Sequence, residues 1–287
     1  MAPDDADGYL AARTWGEGPD LVLVHGFTQS AACWGSFGSY LGAGHRITAV
    51  DLPGHGGSSR IVADLHKSAR LVAKARGGPA SYLGYSLGGR VLLHLALQFP
   101  EAVERLVLIG ATPGIEDPSA RAARRALDGA LADELDPGSP EPTVSLDAFV
   151  QRWLGNPMFA TLPAAAASTS NRLANDPAGL ASSLRLCSTG SQDPLWGCLE
   201  ELEMPVLVMA GCIDSRFSHL ATRMARAIGK NATVALVAGA GHACHLERPE
   251  LAAAMVSGFL GGRQAAPGHS QPAPGHSQPG LARTATR

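Results

Sequence analysis

The sequence has few aromatic and charged residues, no excess of positive charge and no long apolar run. Aromatic residues make up 5% of the 287 residues and charged residues 17%, while hydrophobic residues reach 45%. The formal net charge of −2 gives no basic surface for nucleic acid or for an anionic membrane. No apolar run approaches the ~18 residues of a membrane span, and the acidic stretch MAPDDADGYLAARTWG lacks the regions of a signal peptide. We therefore expect a cytoplasmic protein that binds neither nucleic acid nor membranes.

Cysteine is also scarce, and its spacing argues against two common structural roles. The five cysteines are an odd number and form no CxxC pair, so neither a disulfide framework nor a zinc site is expected. His242 and His245 are spaced as HxxH, but no set of carboxylates or thiolates accompanies them. We predict no metal site and expect most cysteines to be small buried side chains.

Six short apolar runs alternate with helical patterns along the chain. Each run ends in glycine or a small polar residue. Strands that are buried on both faces have this pattern, because helices cover both faces of a parallel sheet. We therefore predict an α/β fold with a mostly parallel sheet and flanking helices. The runs are LVLVHG (21–26), ITAVDLPG (47–54), SYLGYS (81–86), RLVLIG (105–110), VLVMAG (206–211) and TVALVAG (233–239).

Between residues 113 and 200 the strand pattern stops and helical patterns replace it. Helices inserted between two core strands predict a lid over the carboxyl edge of the sheet, where open α/β sheets bind their ligands. PGSPEP at 137–142 separates two of the helical stretches. The stretches are SARAARRALDGALADEL (119–135), SLDAFVQRWL (145–154) and PAGLASSLRL (177–186), with Ser119, Ser145 and Asp176 as predicted N-caps.

The composition changes again near the C-terminus. APGHSQP occurs at 266–272 and is repeated at 273–279. A segment so rich in proline, glycine and serine cannot form a core, and we expect it to be disordered. The predicted division is a first core part (1–112), a helical lid (113–200), a second core part (201–262) and a disordered tail (263–287).

The stretch Gly84-Tyr85-Ser86-Leu87-Gly88 fits a nucleophile elbow, a sharp strand-to-helix turn that exposes a serine hydroxyl. The motif alone is weak in a sequence of this composition. Its context strengthens it, because SYLGY before Ser86 is strand-like and VLLHLALQF after it is helical. We predict Ser86 as the reactive serine.

A reactive serine needs a base, and the base needs an orienting carboxylate. Asp214 follows the run VLVMAG and His242 follows TVALVAGAG, so both are expected at strand ends in the order serine, aspartate, histidine. The alternatives are that His242 is a loop histidine and Asp214 a helix cap. His55 in DLPGHGGSS is a rival base, but it precedes Ser86 and lies in a glycine-rich turn that we expect to border the pocket.

Backbone N–H groups that stabilise developing negative charge are the third predicted part of the site. Leu87, directly after the serine, is expected to supply one N–H group. The other is expected from HGF at 25–27, from Phe27, with His25 shaping the loop or contacting substrate. A simple turn at the end of a strand would also account for HGF.

With these residues in place, the chain resembles the α/β-hydrolase superfamily from Tyr9 to Leu260. The resemblance rests on HGF followed by a tryptophan, DLPGHG, GxSxG and GAGHACHLERPE. It implies an α/β-hydrolase fold but no particular reaction, because this fold supports many activities.

A narrower set of motifs resembles the family of 2-succinyl-6-hydroxy-2,4-cyclohexadiene-1-carboxylate synthases of menaquinone biosynthesis. These motifs are GYSLGGR, RWLGNPMFATLP, NRLANDPAGLASSLR, STGSQDPLW and DSRF, in family order. Ser188 stands where the family more often has glycine, and Asp193-Pro194 replaces a commoner pair. The resemblance implies a lyase that eliminates pyruvate by proton abstraction, driven by serine, histidine and aspartate, without a cofactor.

The same resemblance implies a small anionic substrate and the residues that bind it. Arginine suits this role because it binds carboxylates with two parallel hydrogen bonds. The register of Arg124 rests on Asp128, so Arg121 or Arg125 remains an alternative. A solvated surface role for Arg90, Arg124 and Arg172 is another alternative. The implied binding residues are Tyr85, Arg90, Arg124, Trp153, Arg172 and Arg216.

Other functions remain open at this point. An esterase or a carbon–carbon bond hydrolase with an anionic substrate would use the same three residues, and a receptor could retain the fold. The sequence does not set the oligomeric state, for which a monomer is the simplest expectation.

Overall fold

Strands form at all six apolar runs, which confirms that prediction. The computed structural model describes residues 8–140 and 143–262, and its sheet has seven strands in the order β1-β3-β2-β4-β5-β6-β7. β1 is antiparallel to β3 and the other neighbours are parallel, so the predicted α/β-hydrolase fold is confirmed. The strands are β1 (Ala12–Trp15), β2 (Asp20–Val24), β3 (Arg46–Val50), β4 (Ala80–Tyr85), β5 (Val103–Ile109), β6 (Val206–Gly211) and β7 (Ala232–Val237).

The edge strand β1 is the strand that the sequence pattern did not predict. Its four residues, ARTW, are exposed or half-buried, and they lack the apolar run that marks the interior strands. Pairing with β3 along the edge of the sheet stabilises β1, and this pairing depends on residues far along the chain.

Helices cover both faces of the sheet, and alternate side chains of each strand contact opposite layers. Tyr82 belongs to one apolar cluster with α2, α3 and α8, while Leu83 belongs to the other with α1 and α10. The helices are α1 (Gly35–Gly42), α2 (Leu65–Arg76), α3 (Leu87–Gln98), α4 (Pro118–Leu135), α5 (Leu146–Leu154), α6 (Thr169–Leu173), α7 (Pro177–Leu186), α8 (Ser215–Ile228), α9 (Cys244–Glu247) and α10 (Pro249–Leu260).

The residues between β5 and β6 are helical, with α4 to α7 and short 3₁₀ turns. They have a small apolar cluster of their own around Phe149 and Leu180, and Phe27 and Trp153 pack against it. The three helical stretches that the sequence predicted correspond to α4, α5 and α7.

One predicted helix start is wrong by two residues. α4 begins at Pro118, and the carboxylate of Asp117, not Ser119, accepts the N–H of Ala120. Proline at the first helical position favours the start at residue 118. The predicted caps Ser145 and Asp176 are confirmed, since each accepts a backbone N–H of its own first turn.

The sequence also predicted a disordered C-terminal tail and no membrane-spanning segment. The predicted tail, with both APGHSQP copies, lies outside the described residues. Among residues 8–140 and 143–262, no helix has both the length and the apolar character needed to cross a bilayer.

Candidate active site

Ser86 lies in a strained turn between β4 and α3. Its φ angle is +50° and its ψ angle −106°, and its N–H donates to the Ile109 carbonyl at 2.9 Å. A Cβ on Gly84 would lie 2.6 Å from the backbone of Gly88, and a Cβ on Gly88 would collide with the carbonyl of Val24. The two glycines therefore permit the turn, which has the geometry of a nucleophile elbow.

Asp214 and His242 meet at the carboxyl edge of the sheet. His242 Nδ1 lies 3.1 Å from Asp214 Oδ2, while Asp214 Oδ1 accepts the N–H of Phe217 at 3.0 Å. Asp214 is thus a helix cap and the partner of the histidine at once. Burial raises the pKa of Asp214, but the hydrogen bonds from His242 and the Phe217 N–H outweigh it and hold the pKa below its usual value.

An ionised Asp214 fixes the tautomer of His242. The carboxylate can only accept, so Nδ1 carries the proton and Nε2 keeps its lone pair. Nε2 is buried and has no hydrogen-bond partner within the described part of the chain. His242 is therefore arranged to accept a proton through Nε2.

Two aromatic side chains beside His242 were not predicted as site residues. The ring of Phe217 lies 4.4 Å from the His242 ring and that of Phe159 lies 6.1 Å away, measured between centroids. Both occur in motifs that carry the family resemblance, DSRF and RWLGNPMFATLP, but neither motif indicates a contact with the histidine. These rings pack beside the imidazole of His242, which is almost completely buried.

A cavity of about 530 Å³ opens above Ser86, between the sheet edge and the helices inserted after β5. This size is typical of a small-molecule site. His25 and His242 do not line it. The other ten predicted site residues do: Phe27, Tyr85, Ser86, Leu87, Arg90, Arg124, Trp153, Arg172, Asp214 and Arg216.

His25 occupies a different position from the predicted substrate contact. Its Nδ1 donates to the carbonyl of Gly26 at 2.8 Å, and its Nε2 accepts the N–H of Leu52 at 3.0 Å. Burial lowers the pKa of His25 to about 4, so the ring is neutral at physiological pH. Both nitrogens are thus used within the fold, and we propose that His25 shapes the loop rather than contacting substrate.

His55, the rival base, is also held within the fold. Its Nδ1 donates to the Pro53 carbonyl at 3.0 Å, and its ring contacts those of His25 and Phe27. Burial lowers the pKa of His55 to about 3. It lies beneath the loop and does not line the cavity.

Arg90 is a buried cation whose hydrogen bonds go to neutral acceptors. Its Nη2 donates to the Cys187 carbonyl at 2.6 Å and its Nη1 to Gln192 Oε1 at 3.2 Å. No carboxylate hydrogen-bonds to Arg90 within residues 8–140 and 143–262. Burial lowers the pKa of Arg90 to about 10 and leaves it charged at neutral pH. The cavity therefore presents a buried positive charge to which no carboxylate of the described residues hydrogen-bonds.

Arg172 and Arg124 are held by different groups. Arg172 donates to the Ala167 carbonyl at 2.7 Å, and its other hydrogen bonds go to Thr28 and to the carbonyl of Phe27. It therefore braces the loop on which the predicted Phe27 N–H lies. Arg124 Nε donates to both carboxylate oxygens of Asp128, at 2.8 and 2.9 Å.

The three neighbouring arginines on α4 differ in whether they reach the cavity. Arg124 lines the cavity, whereas Arg121 donates to the Ile115 carbonyl and Arg125 to the Gly190 carbonyl. Asp128 and Ser188 also line the cavity, although neither was predicted as a site residue.

The comparisons with known proteins agree with this geometry. Residues 19–249 match the family model described as alpha/beta hydrolase fold. A relative from Salmonella agona (strain SL483), named 2-succinyl-6-hydroxy-2,4-cyclohexadiene-1-carboxylate synthase, is 35% identical over 240 residues, which is 80% of this chain and 89% of the relative. The chain is a member of this synthase family.

One solved structure supports the synthase family, and a second supports the fold alone. The structure of MenH from S. aureus aligns with a TM-score of 0.78 at 28% identity, over 87% of this chain and 97% of that chain. A thermophilic esterase from Thermogutta terrifontis aligns with a TM-score of 0.74 at 23% identity, over 88% and 92% of the two chains, and shows the fold alone.

Glu247 is a further residue of this synthase-family chain that sequence reasoning passed over. Its Oε2 accepts the N–H of Gly241 at 2.7 Å and its Oε1 accepts the N–H of Ala243 at 3.1 Å. One carboxylate thus holds the backbone on both sides of His242. The residue was visible in GAGHACHLERPE, but its contact with the histidine loop follows from the helical turn at 244–247.

Proposed function

We propose that the protein converts 2-succinyl-5-enolpyruvyl-6-hydroxy-3-cyclohexene-1-carboxylate to 2-succinyl-6-hydroxy-2,4-cyclohexadiene-1-carboxylate, with release of pyruvate, in menaquinone (vitamin K2) biosynthesis. The single observation that carries this proposal is the cavity that joins Ser86 to Arg90, a buried cation to which no carboxylate of the described residues hydrogen-bonds. The name of the synthase relatives supports it.

The bonds that form and break follow from the chemical names of the proposed substrate and product. The ring double bond at carbon 3 becomes a diene at carbons 2 and 4, so carbon 2 loses a proton and carbon 5 loses the enolpyruvyl oxygen. The electron pair of the C2–H bond forms the new double bond, the existing one shifts, and the carbon–oxygen bond breaks. The departing enolate gains a proton and becomes pyruvate. No oxidation or reduction occurs, and no cofactor is part of the proposal.

We assign residues of this chain to the proton transfer and to the stabilisation of the charge that it creates. Ser86, activated by His242 Nε2, takes the proton from carbon 2, which is acidic because the succinyl carbonyl lies beside it. The N–H groups of Phe27 and Leu87 stabilise the enolate-like charge that forms on that carbonyl. Leu87 is well suited, because it begins α3 and the first N–H groups of a helix have no intrahelical acceptor.

The substrate carries three carboxylates, and the cavity arginines are proposed to bind them. Arg90 and Arg124 both line the cavity, one on the core helix α3 and one on α4. Arg172, Arg216, Tyr85 and Trp153 complete the proposed binding set. We propose that α4 to α7 act as the lid. A cytoplasmic location and a monomeric state remain predictions from the sequence.

The test is pyruvate release, followed through lactate dehydrogenase, after the purified protein receives the enolpyruvyl substrate. Spontaneous elimination is subtracted with a sample that lacks enzyme, and p-nitrophenyl esters with an anionic acyl group are assayed in parallel. Enzyme-dependent pyruvate with formation of the diene supports the proposal. Ester hydrolysis without pyruvate release would instead indicate the alternative, a hydrolase acting on an anionic substrate.

Replacement of Glu247 by glutamine is expected to lower kcat about 10-fold while KM changes less than about twofold, because one charge-assisted hydrogen bond to the histidine loop is lost. Glu247 is not among the residues that line the cavity, so substrate binding is expected to be preserved. The measurement is steady-state kinetics of pyruvate release. Glu250→Gln, an exposed change three residues later on α10, is the matched control. Equal effects of the two variants would contradict a positioning role for Glu247.

A further inference from the structure

The segment Cys187–Gln192, here called the arginine loop, is connected to two cavity arginines. It binds Arg90 directly, and it contacts the carboxylate that holds Arg124. Its first and last residues bind Arg90, through the Cys187 carbonyl at 2.6 Å and Gln192 Oε1 at 3.2 Å. Its second residue, Ser188, contacts the partner of Arg124. Three residues of the loop, at 187–189, also line the cavity.

Ser188 connects the loop to Arg124 through one carboxylate. Its hydroxyl donates to Asp128 Oδ2 at 2.6 Å, and both oxygens of Asp128 accept from Arg124 Nε. The side chain of Asp128 is 2% exposed, whereas that of Arg124 is 37% exposed. Asp128 is thus a buried carboxylate that orients a partly exposed guanidinium by its Nε edge.

The direction of these hydrogen bonds is fixed by the groups involved. The Gly190 N–H can only donate, and it donates to Ser188 Oγ at 2.8 Å. The serine oxygen therefore accepts from the loop backbone, and its own proton points to Asp128. A buried carboxylate requires such donors, because an unpaired buried charge is unfavourable.

The loop is also held directly against α4, the helix that carries Arg124 and Asp128. A Cβ at Gly190 would lie 2.6 Å from the Arg121 carbonyl and would collide with the backbone N of Arg125. Arg125 Nε donates to the Gly190 carbonyl at 3.0 Å. The loop is therefore packed directly against α4, and Arg90 connects it to α3.

The charges of Arg124 and Arg90 also interact electrostatically. After burial, which is the largest cause, the charge of Arg124 lowers the pKa of Arg90 and that of Asp128 raises it. Two cations that face one cavity repel each other, and their spacing must be maintained by the protein until an anion enters.

We propose that Ser188 is a positioning residue that orients the Arg124 guanidinium through Asp128, and that the arginine loop thereby sets the spacing of Arg124 from Arg90. The consequence for substrate binding rests on the proposed function, since it assumes a substrate with several carboxylates. In that case, Ser188 determines how well Arg124 and Arg90 bind two carboxylates of one molecule at the same time.

Replacement of Ser188 by alanine is expected to raise KM about 10-fold and to change kcat less than about twofold, since binding geometry is altered and the reacting groups are not. Ser191→Ala is the matched control, because the Ser191 hydroxyl belongs to the same loop but donates to the Arg185 carbonyl at 3.1 Å, away from the cavity. Ser188→Thr, which retains a hydroxyl, is expected to restore most of the affinity.

A second measurement does not depend on turnover. In nitrogen-15 spectra, the Nε–H signal of Arg124, assigned by its loss in Arg124→Lys, should exchange with water several-fold faster in Ser188→Ala than in the wild type or Ser191→Ala. Unchanged exchange in Ser188→Ala, or the same change in both variants, would overturn the proposal. If the wild type releases no pyruvate, the proposed function fails, while the exchange rates still decide the role of Ser188.

Discussion

Replacement of Ser86 by alanine is expected to lower kcat for pyruvate release by about 10³-fold or more, because the group proposed to take the substrate proton is removed. The cavity arginines are untouched, so the variant should still bind the substrate. The measurement combines the lactate dehydrogenase assay with calorimetric titration of a slowly reacting anionic analogue. A variant that retains a tenth of the wild-type rate would exclude Ser86 from the chemistry.

Ser86→Gly separates the chemistry of the hydroxyl from the strain of the turn. The left-handed φ of +50° is unfavourable for a serine and ordinary for a glycine. Relief of this strain, less the entropy of glycine, is expected to stabilise the fold by about 1 kcal/mol and to raise Tm by roughly 2–4 °C. Ser86→Ala keeps the strain and should leave Tm unchanged. Loss of activity together with a higher Tm would show that the elbow sacrifices stability for its geometry.

Replacement of Arg90 by methionine is expected to lower kcat/KM by about 10²-fold or more, because a buried charge that we propose to bind a carboxylate is lost. Methionine keeps most of the side-chain volume. Its effect on stability should be small, since two changes oppose each other: a buried cation is removed, and the Cys187 carbonyl and Gln192 Oε1 lose their donor. Thermal unfolding of the same samples checks this expectation.

The control for Arg90→Met is the same substitution at a surface arginine. Arg185 on α7 pairs with Asp133 and Asp136 at the exposed side of the inserted helices. Exposed ion pairs contribute little, about 0–1 kcal/mol, so Arg185→Met should leave kcat/KM within about twofold of the wild type. A similar loss in both variants would mean that net charge, not the position of Arg90, controls binding.

The interior strands and the reactive turn could be predicted because their determinants are local. A strand that helices cover on both faces must be apolar throughout, and such an apolar run can be recognised from a few neighbouring residues. The elbow is equally local, since Gly84 and Gly88 lie within two residues of Ser86. The weakly apolar β1 and the five-residue α6 have no such signal, and contacts made elsewhere in the fold stabilise them.

Chain order was sufficient to propose Asp214 and His242 as partners of Ser86, because each follows a parallel strand of the sheet and the carboxyl ends of parallel strands meet at one edge. His25 shows the limit of this reasoning. Its position after β2 is correct for a pocket residue, but its two nitrogens are used by Gly26 and Leu52. Which way a side chain points depends on atoms that the local sequence does not specify.

The sequence by itself determined six of the seven described strands, the elbow and the order of the candidate catalytic groups, since these follow from local apolar runs and from turn chemistry. The tertiary structure alone decided which polar atoms meet. The hydrogen bond from Arg90 to Gln192 joins residues 102 apart, and that from Ser188 to Asp128 joins residues 60 apart. Such contacts form only after helices and loops have packed, because hydrogen bonds require positions accurate to a few tenths of an ångström.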